Sequence, residues 1–154
     1  MAKSTYVYVT YIRTTPEKLW KALTDPQFTR QYWFGMASTS DWKKGSPWNL
    51  VAGDGKVWDK GEVLESDPPR RLVLRWEHQM RPELKAEGPA VCAMDLEPTE
   101  GAVKLTITHT SEKENSKVIV AVSGGWPKVL SNLKSLMETG SIALQEPYPA
   151  AKSV

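Results

Sequence analysis

Apolar and polar residues alternate along several short segments in the first two thirds of the chain, and a helical period replaces this alternation near the C-terminal end. Alternation over about four to eight residues is the pattern of a strand with one buried face. It predicts strands at residues 6–12, 48–52, 57–65, 71–79, 90–97 and 102–111. Two short helices are expected after the first strand, one capped by Thr15 with Pro16 at its first position and one beginning near Pro26.

The last helix is predicted from about residue 118 to Gly140, because a glycine commonly ends a helix in the left-handed conformation. Its apolar positions recur about every 3.6 residues and are Val118, Val122, Trp126, Val129, Leu130, Leu133, Leu136 and Met137. Asn132 is expected on the opposite, polar side with Lys128, Ser135 and Glu138. Pro127 follows two glycines and removes one helical hydrogen bond, so a kink or a fresh start is expected there.

The order of the predicted elements is one strand, two short helices, a meander of five or six strands and one long helix. Such segregation of strands from helices favours an α+β domain with a mostly antiparallel sheet. A long terminal helix after a run of strands indicates a curved sheet around that helix, with room for a ligand between them. Residues 1–140 are expected to form a single domain, and residues 141–154 a loosely held tail.

Strand alternation also assigns the side chains that face the interior. Both histidines, His78 and His109, fall on inward-facing positions, together with Trp76, Cys92 and Met94. The first strand is apolar on both faces, so its register stays open. The interior near the terminal helix is therefore expected to be apolar, with a few polar points.

Composition narrows the function classes. A net charge of +2 with scattered basic residues gives no nucleic-acid groove. The N-terminus lacks the apolar segment of a signal peptide, and no apolar run is long enough to span a membrane. The single cysteine excludes an internal disulfide and favours a reducing compartment. A cytoplasmic protein without membrane insertion is expected.

Few side chains are candidates for catalysis or metal binding. His78, His109 and Cys92 lie on separate predicted strands without metal-ligand spacing, so no metal site and no cofactor are expected. An inward histidine could move protons, which makes His78 and His109 the candidate acid–base groups. Cys92 has no predicted partner that would stabilise a thiolate.

The chain contains seven tryptophans, and tryptophan and methionine suit the wall of a pocket for flat or hydrophobic ligands. The expected lining of such a cavity is Trp33, Trp48, Trp76, His78, Cys92, Met94, His109, Trp126, Leu130, Leu133 and Met137.

Three motifs resemble one known family. They are residues 15–26, Thr-Pro-Glu-Lys-Leu-Trp-Lys-Ala-Leu-Thr-Asp-Pro, with Tyr32 and Trp33 after them; residues 61–72; and residues 124–140, which open on Gly-Gly-Trp-Pro. In this order they resemble the Hsp-90 ATPase activator homologue-like family of the START/polyketide cyclase/Bet v 1-like superfamily, over residues 5–140. The resemblance implies a helix-grip fold, in which an antiparallel sheet holds a long C-terminal helix around a cavity. The matching motifs belong to the scaffold, so no catalytic residue carries over.

Members of the superfamily bind lipids, hormones or polyketides, and some are cyclases or hydrolases. The leading hypothesis is therefore binding of a small hydrophobic or aromatic ligand in the internal cavity, without catalysis. One alternative is a cyclase or hydrolase that uses His78 or His109. A second alternative is a co-chaperone-like regulator of an Hsp-90 type ATPase; this partner is less favoured because one domain is visible and no separate chaperone-binding module. The sequence does not decide whether the protein forms a homodimer through the outer face of the sheet.

Overall fold

The computed structural model describes residues 3–145, and its elements follow the predicted order. The strands are β1 (Ser4–Ile12), β2 (Ala37–Ser40), β3 (Pro47–Val51), β4 (Val57–Asp67), β5 (Arg71–His78), β6 (Ala90–Thr99) and β7 (Ala102–Ser111). The helices are α1 (Pro16–Thr24), α2 (Pro26–Tyr32), α3 (Pro82–Lys85) and α4 (Lys117–Thr139). The short helix α3 lies in a segment whose polarity predicts only a loop.

All seven strands form one antiparallel sheet in the order β1-β7-β6-β5-β4-β3-β2. Each strand from β2 to β7 pairs with its neighbour in sequence, and β1 closes the other edge by pairing with β7. The α+β helix-grip prediction is confirmed, since this sheet carries the long helix α4 along its buried face.

The inward registers predicted for β5, β6 and β7 agree with burial. Trp76, Cys92, Met94 and His109 are all buried. In β1, whose register the sequence leaves open, Val7, Val9 and Tyr11 face outward and are exposed. The buried side chains of β1, β5, β6 and β7 therefore form one continuous core beneath α4.

Gly61 in β4 is a point of close backbone approach. A Cβ atom added there would lie 1.7 Å from the carbonyl oxygen of Arg75 on β5, so no larger residue fits without movement of the backbone. Gly61 also pairs with Trp48 on one side and with Trp76 on the other. The rings of these two tryptophans lie at a centroid distance of 4.4 Å.

The two early helices begin as predicted. The side chain of Thr15 accepts a hydrogen bond from the backbone N–H of Lys18, and Pro16 occupies the first helical turn of α1. Asp25 caps α2 by accepting from the backbone N–H of Gln27.

Helix α4 has no fresh start at Pro127, which was one of the two outcomes expected there. It begins at Lys117, where Ser116 caps it, and it continues without interruption through Pro127 to Thr139. The proline lacks the N–H that would bond to Ser123, yet the flanking residues Trp126 and Val129 are buried and hold both halves on the core. Burial on both sides of the proline thus accounts for the continuous helix. Gly140 ends the helix with a φ of 86°, as predicted.

The expectation that Asn132 lies on the polar side of α4 is wrong. Asn132 is fully buried. Its amide nitrogen donates to the carbonyl oxygen of Leu144 at 2.9 Å, and its amide oxygen accepts from the N–H groups of Ala143 and Leu144 at 3.0 and 2.7 Å. These bonds satisfy the amide and hold the chain just after the helix against it.

The predicted tail at residues 141–154 is described only as far as residue 145, and the rest of it lies outside the described residues. Within residues 3–145, no helix combines the length and the apolar composition needed to cross a lipid bilayer.

Candidate functional site

A partly open cavity of about 360 Å³ lies between the sheet and the first half of α4. Apolar side chains provide most of its wall, and they are Trp33, Phe34, Met36, Leu50, Ala52, Trp58, Trp76, Met80, Leu84, Ala121, Val122, Trp126 and Val129. Four polar side chains also line it, namely Asp59, His78, Arg81 and Lys128. The cavity is thus enclosed by the ends of β4 and β5, by α4, and by the segment containing α3.

Three tryptophans from separate elements form one wall. The ring centroid of Trp33, which caps the end of α2, lies 6.0 Å from that of Trp76 and 5.3 Å from that of Trp126. Trp76 and Trp126 lie 5.7 Å apart in an edge-on arrangement. These separations are those of favourable aromatic pairs, so the wall is held in place by its own contacts.

Asp59 and His78 form the polar point of the cavity. They are register partners on β4 and β5, so sheet pairing brings their side chains together. His78 Nδ1 lies 2.9 Å from Asp59 Oδ1, and the two side chains are only 16% and 10% exposed. This distance is short enough for an ion pair, but the two groups are not oriented for a hydrogen bond. Asp59 Oδ1 therefore has no hydrogen-bond donor among the described residues.

His109 lies behind this wall and contacts the rings of Trp76 and Trp126. Its Nδ1 accepts a hydrogen bond of 3.1 Å from the indole N–H of Trp126. Burial, with a smaller contribution from nearby His78, lowers the pKa of His109 from 6.5 to about 3. The ring is therefore neutral near pH 7, with its proton on Nε2.

Four buried polar atoms lack a hydrogen-bond partner within the part of the chain that the structure describes. They are Asp59 Oδ1, Trp76 Nε1, His78 Nε2 and His109 Nε2. Three of them belong to side chains that line the cavity. Buried polar groups without partners are rare in proteins, and these four lie in or next to the wall of the cavity.

The model of the family "Activator of Hsp90 ATPase homolog 1-like protein" matches residues 13–138. The chain belongs to this family. The resemblance seen in the sequence motifs is thereby confirmed. No curated protein matches the chain.

Solved structures of this Hsp90-activator-like fold superimpose well at low sequence identity. Protein MLL2253 from Mesorhizobium loti is 24% identical with a TM-score of 0.75, and the match covers 90% of this chain and all of that one. An HSP90 activator from Plasmodium falciparum, PFC0360w, is 21% identical with a TM-score of 0.70, over 86% and 94% of the two chains. The Aha1 dimer from Colwellia psychrerythraea is 19% identical with a TM-score of 0.72, over 89% and 98%. At these identities the likeness shows the fold alone.

In this family member, the residues predicted from sequence to line a cavity separate into three groups. Trp33, Trp76, His78 and Trp126 line it. Trp48 and His109 lie one layer behind and contact Trp76. The remaining predicted residues lie outside the lining, and they are Cys92, Met94, Leu130, Leu133 and Met137.

The reason for this separation is the extent of the cavity along α4. The cavity reaches from Ala121 to Val129, whereas Leu130 and Leu133 beyond it pack into the closed core. Cys92 is fully buried, and burial raises the pKa of its thiol, so it is not a thiolate nucleophile at neutral pH. Among residues 3–145, no cluster of three or more His, Cys, Asp or Glu side chains could hold a metal ion.

Trp58, Asp59 and Arg81 also line the cavity, although the sequence pattern did not predict them there. The inward direction of Asp59 could have been predicted, because residues two apart in a strand point to the same face of the sheet. Asp59 shares its face of β4 with Gly61 and Val63, and Val63 is fully buried. Arg81 lies in the segment at α3, whose polar composition carries no sign that it covers a cavity.

Proposed function

We propose that this protein binds a small, mostly apolar ligand in the cavity between the sheet and α4. The observation that carries the proposal is a partly open cavity of about 360 Å³ whose wall is mostly apolar and includes four polar side chains. Ligand pockets in proteins are commonly about 300–1,000 Å³, mostly apolar, and equipped with a few polar groups that orient the ligand. The cavity has each of these properties.

Filling the cavity tests the proposal. Ala121 lines the cavity on α4, and Ala121→Trp would place an indole ring in it. Val120, the adjacent residue, is 71% exposed on the outside of the same helix, so Val120→Trp adds the same ring to the surface and serves as the control. Both variants and the native protein are screened by native mass spectrometry and thermal shift against aromatic molecules and lipids.

The expected result is that ligands bind the native protein and Val120→Trp but not Ala121→Trp. A ligand present at 100 times its Kd stabilises a folded protein by about 2.7 kcal/mol, which a thermal shift detects readily. Binding that Ala121→Trp leaves unchanged would place the ligand elsewhere and contradict the proposal.

A second candidate is proton transfer by His78 within the same cavity, and the observation that favours it is the nearby carboxylate of Asp59. An imidazole beside a carboxylate is a common arrangement for general acid–base chemistry. If the bound ligand is turned over, His78→Gln and Asp59→Asn should each slow turnover while binding persists. Turnover unaffected by both substitutions would exclude this role.

The family description favours a third candidate, regulation of an Hsp90-type ATPase. One structural neighbour is described as an HSP90 activator. The test is the ATPase rate of purified Hsp90 with and without this protein. An unchanged ATPase rate and no co-elution of the two proteins would exclude this candidate function. The cavity-binding proposal would not be affected by that result.

A further inference from the structure

The carboxylate of Asp59 is an accessible acceptor in the wall of the cavity. Asp59 lies on the same face of β4 as the fully buried Val63, and it lines the cavity. Its Oδ1 atom is buried beside His78. Its Oδ2 atom also accepts no hydrogen bond from the described residues, but it is not among the buried unpartnered atoms, so it keeps accessible surface. Because the side chain points to the inner face of the sheet, a molecule in the cavity can reach Oδ2.

His78 adds a donor beside this acceptor. Its Nδ1 atom lies 2.9 Å from Asp59 Oδ1. A ring nitrogen without a hydrogen would bring two lone pairs together at this distance, so Nδ1 carries a hydrogen. This atom makes no aligned hydrogen bond and is likewise not among the buried unpartnered atoms, so it is accessible as well. The cavity therefore presents an acceptor and a donor on register partners of two adjacent strands.

The charges around the cavity narrow the chemical group that fits there. Among the charged side chains that line the cavity, Arg81 and Lys128 are positive and Asp59 is negative. An ammonium group could donate to Asp59, but it would add a further positive charge to this lining. A carboxylate group has no hydrogen to donate and would be repelled by the charge of Asp59. A neutral hydroxyl group avoids both penalties, since it donates one hydrogen and accepts through its lone pairs.

We infer that the ligand of this cavity is a flat, apolar molecule that carries a hydroxyl group, and that this hydroxyl donates a hydrogen bond to Asp59 Oδ2. The inference rests on the proposed function, since it specifies the ligand of the same cavity. The tryptophan wall of Trp33, Trp76 and Trp126 suits the flat apolar part. A hydrogen bond to an ionised carboxylate is about twice as strong as one between neutral groups, so this contact orients the ligand.

A pair of probes that differ only at the hydroxyl tests this inference. 2-Naphthol carries the hydroxyl group, and 2-methylnaphthalene replaces it by a methyl group of similar size. The dissociation constants of both probes are measured for the native protein, for Asp59→Asn and for Asp95→Asn. Asp95→Asn is the matched control, because it makes the same change in side chain and net charge outside the cavity lining, at a carboxylate on β6 that is paired with Arg71.

The measured quantity is the ratio of the 2-methylnaphthalene dissociation constant to the 2-naphthol dissociation constant. This ratio should be about tenfold larger in the native protein than in Asp59→Asn, because a neutral amide oxygen is a weaker acceptor than a carboxylate; tenfold corresponds to about 1.4 kcal/mol. In Asp95→Asn, the ratio should stay within about twofold of the native value. Comparing ratios removes the difference in water solubility between the two probes. A third probe, 2-methoxynaphthalene, keeps the oxygen without its hydrogen and should bind Asp59→Asn no more weakly than the native protein.

If both probes bind and the ratio is the same in all three proteins, or falls equally in both variants, the hydroxyl inference is overturned while the cavity-binding proposal stands. If neither probe binds the native protein, the inference falls and the cavity-binding proposal is contradicted as well. Should Asp59→Asn fail to fold, NMR of 2-naphthol bound to the native protein decides the question. Nuclear Overhauser effects between the two ring protons that flank the hydroxyl and the Hβ protons of Asp59 support the inference, and effects from these ring protons to other residues only overturn it.

Discussion

His109 should make the folded protein sensitive to mild acid, because its buried ring has no place for a second proton. The Nδ1 atom that would take the proton already accepts the hydrogen bond from Trp126. The unfolded chain binds a proton at this side chain below its ordinary pKa of 6.5, whereas the folded protein binds it only near pH 3. Between these values the unfolded state holds more protons, so the free energy of unfolding falls as the pH falls.

The size of the effect follows from the shift in pKa. Each pH unit within this window changes the free energy of unfolding by about 1.4 kcal/mol. At pH 5 the penalty is therefore about 2 kcal/mol, while at pH 7 it is close to zero. A loss of about 2 kcal/mol is a substantial part of the roughly 5–15 kcal/mol that stabilises an ordinary domain.

The variant His109→Asn isolates this contribution. Asparagine keeps an acceptor for the indole N–H of Trp126 and does not titrate, so its packing defect is the same at both pH values. Urea unfolding of both proteins at pH 7 and pH 5 should show the native protein losing about 2 kcal/mol more than the variant. Equal losses within about 0.5 kcal/mol, or an NMR titration of His109 near pH 6.5, would refute the reasoning.

Three further predictions concern stability. Gly61→Ala should lower the free energy of unfolding by about 3 kcal/mol or more, because the added Cβ meets the carbonyl of Arg75 at 1.7 Å; thermal melting checks this. Glu87→Gln should lower it by about 1 kcal/mol in urea unfolding at pH 7, because the carboxylate receives bonds from the hydroxyl of Ser116 and the first N–H groups of α4. Asn132→Ala should lower it by about 2 kcal/mol and speed hydrogen exchange at the N–H of Leu144, which loses its acceptor.

Each of these changes has a control or an opposing outcome. Gly124→Ala adds a methyl group in open space on α4 and should stabilise by up to about 1 kcal/mol, so equal effects of the two glycine substitutions would contradict the steric argument. Burial raises the pKa of Glu87, but bonds from Ser116 and from the helix N–H groups lower it overall. The effect of Glu87→Gln should therefore shrink as the pH falls below about 4.5, and a constant effect would contradict it. Unchanged exchange at Leu144 would count against the role of Asn132.

The sequence predicted the fold more fully than the site, and the reason is local periodicity. Trp76 and His109 were placed inward because alternation in a strand fixes the side-chain direction within a few residues. The meeting of Asp59 with His78 depends on the pairing of β4 with β5, and that register shifts between Val63 and Glu65, which no local pattern reveals.

Helix α4 shows the limits of periodicity in another way. Six of the eight residues of its apolar stripe are buried, and Leu136 and Met137 are partly buried. The stripe gave no sign that the cavity ends at Val129, so Leu133 was expected in the lining and lies in the closed core. Asn132 was expected in solvent because it is polar, yet its burial depends on bonds to Ala143 and Leu144 that only the tertiary structure supplies.

The pairing of β1 with β7 has a consequence for how the chain folds. Each strand from β3 to β7 pairs with the strand made just before it, but β1 is the first strand to be synthesised and its partner β7 is the last, with Ser4 opposite Ser111. Contacts so distant in sequence form late, because the long loop between them must close, at a cost in chain entropy, before the contact can stabilise the structure. A newly made chain therefore carries β1, with its apolar Val7, Val9 and Tyr11, as an unpaired strand until almost the whole sheet has been synthesised. Its folding should be slow relative to helical proteins of the same size and should depend on the final residues of β7.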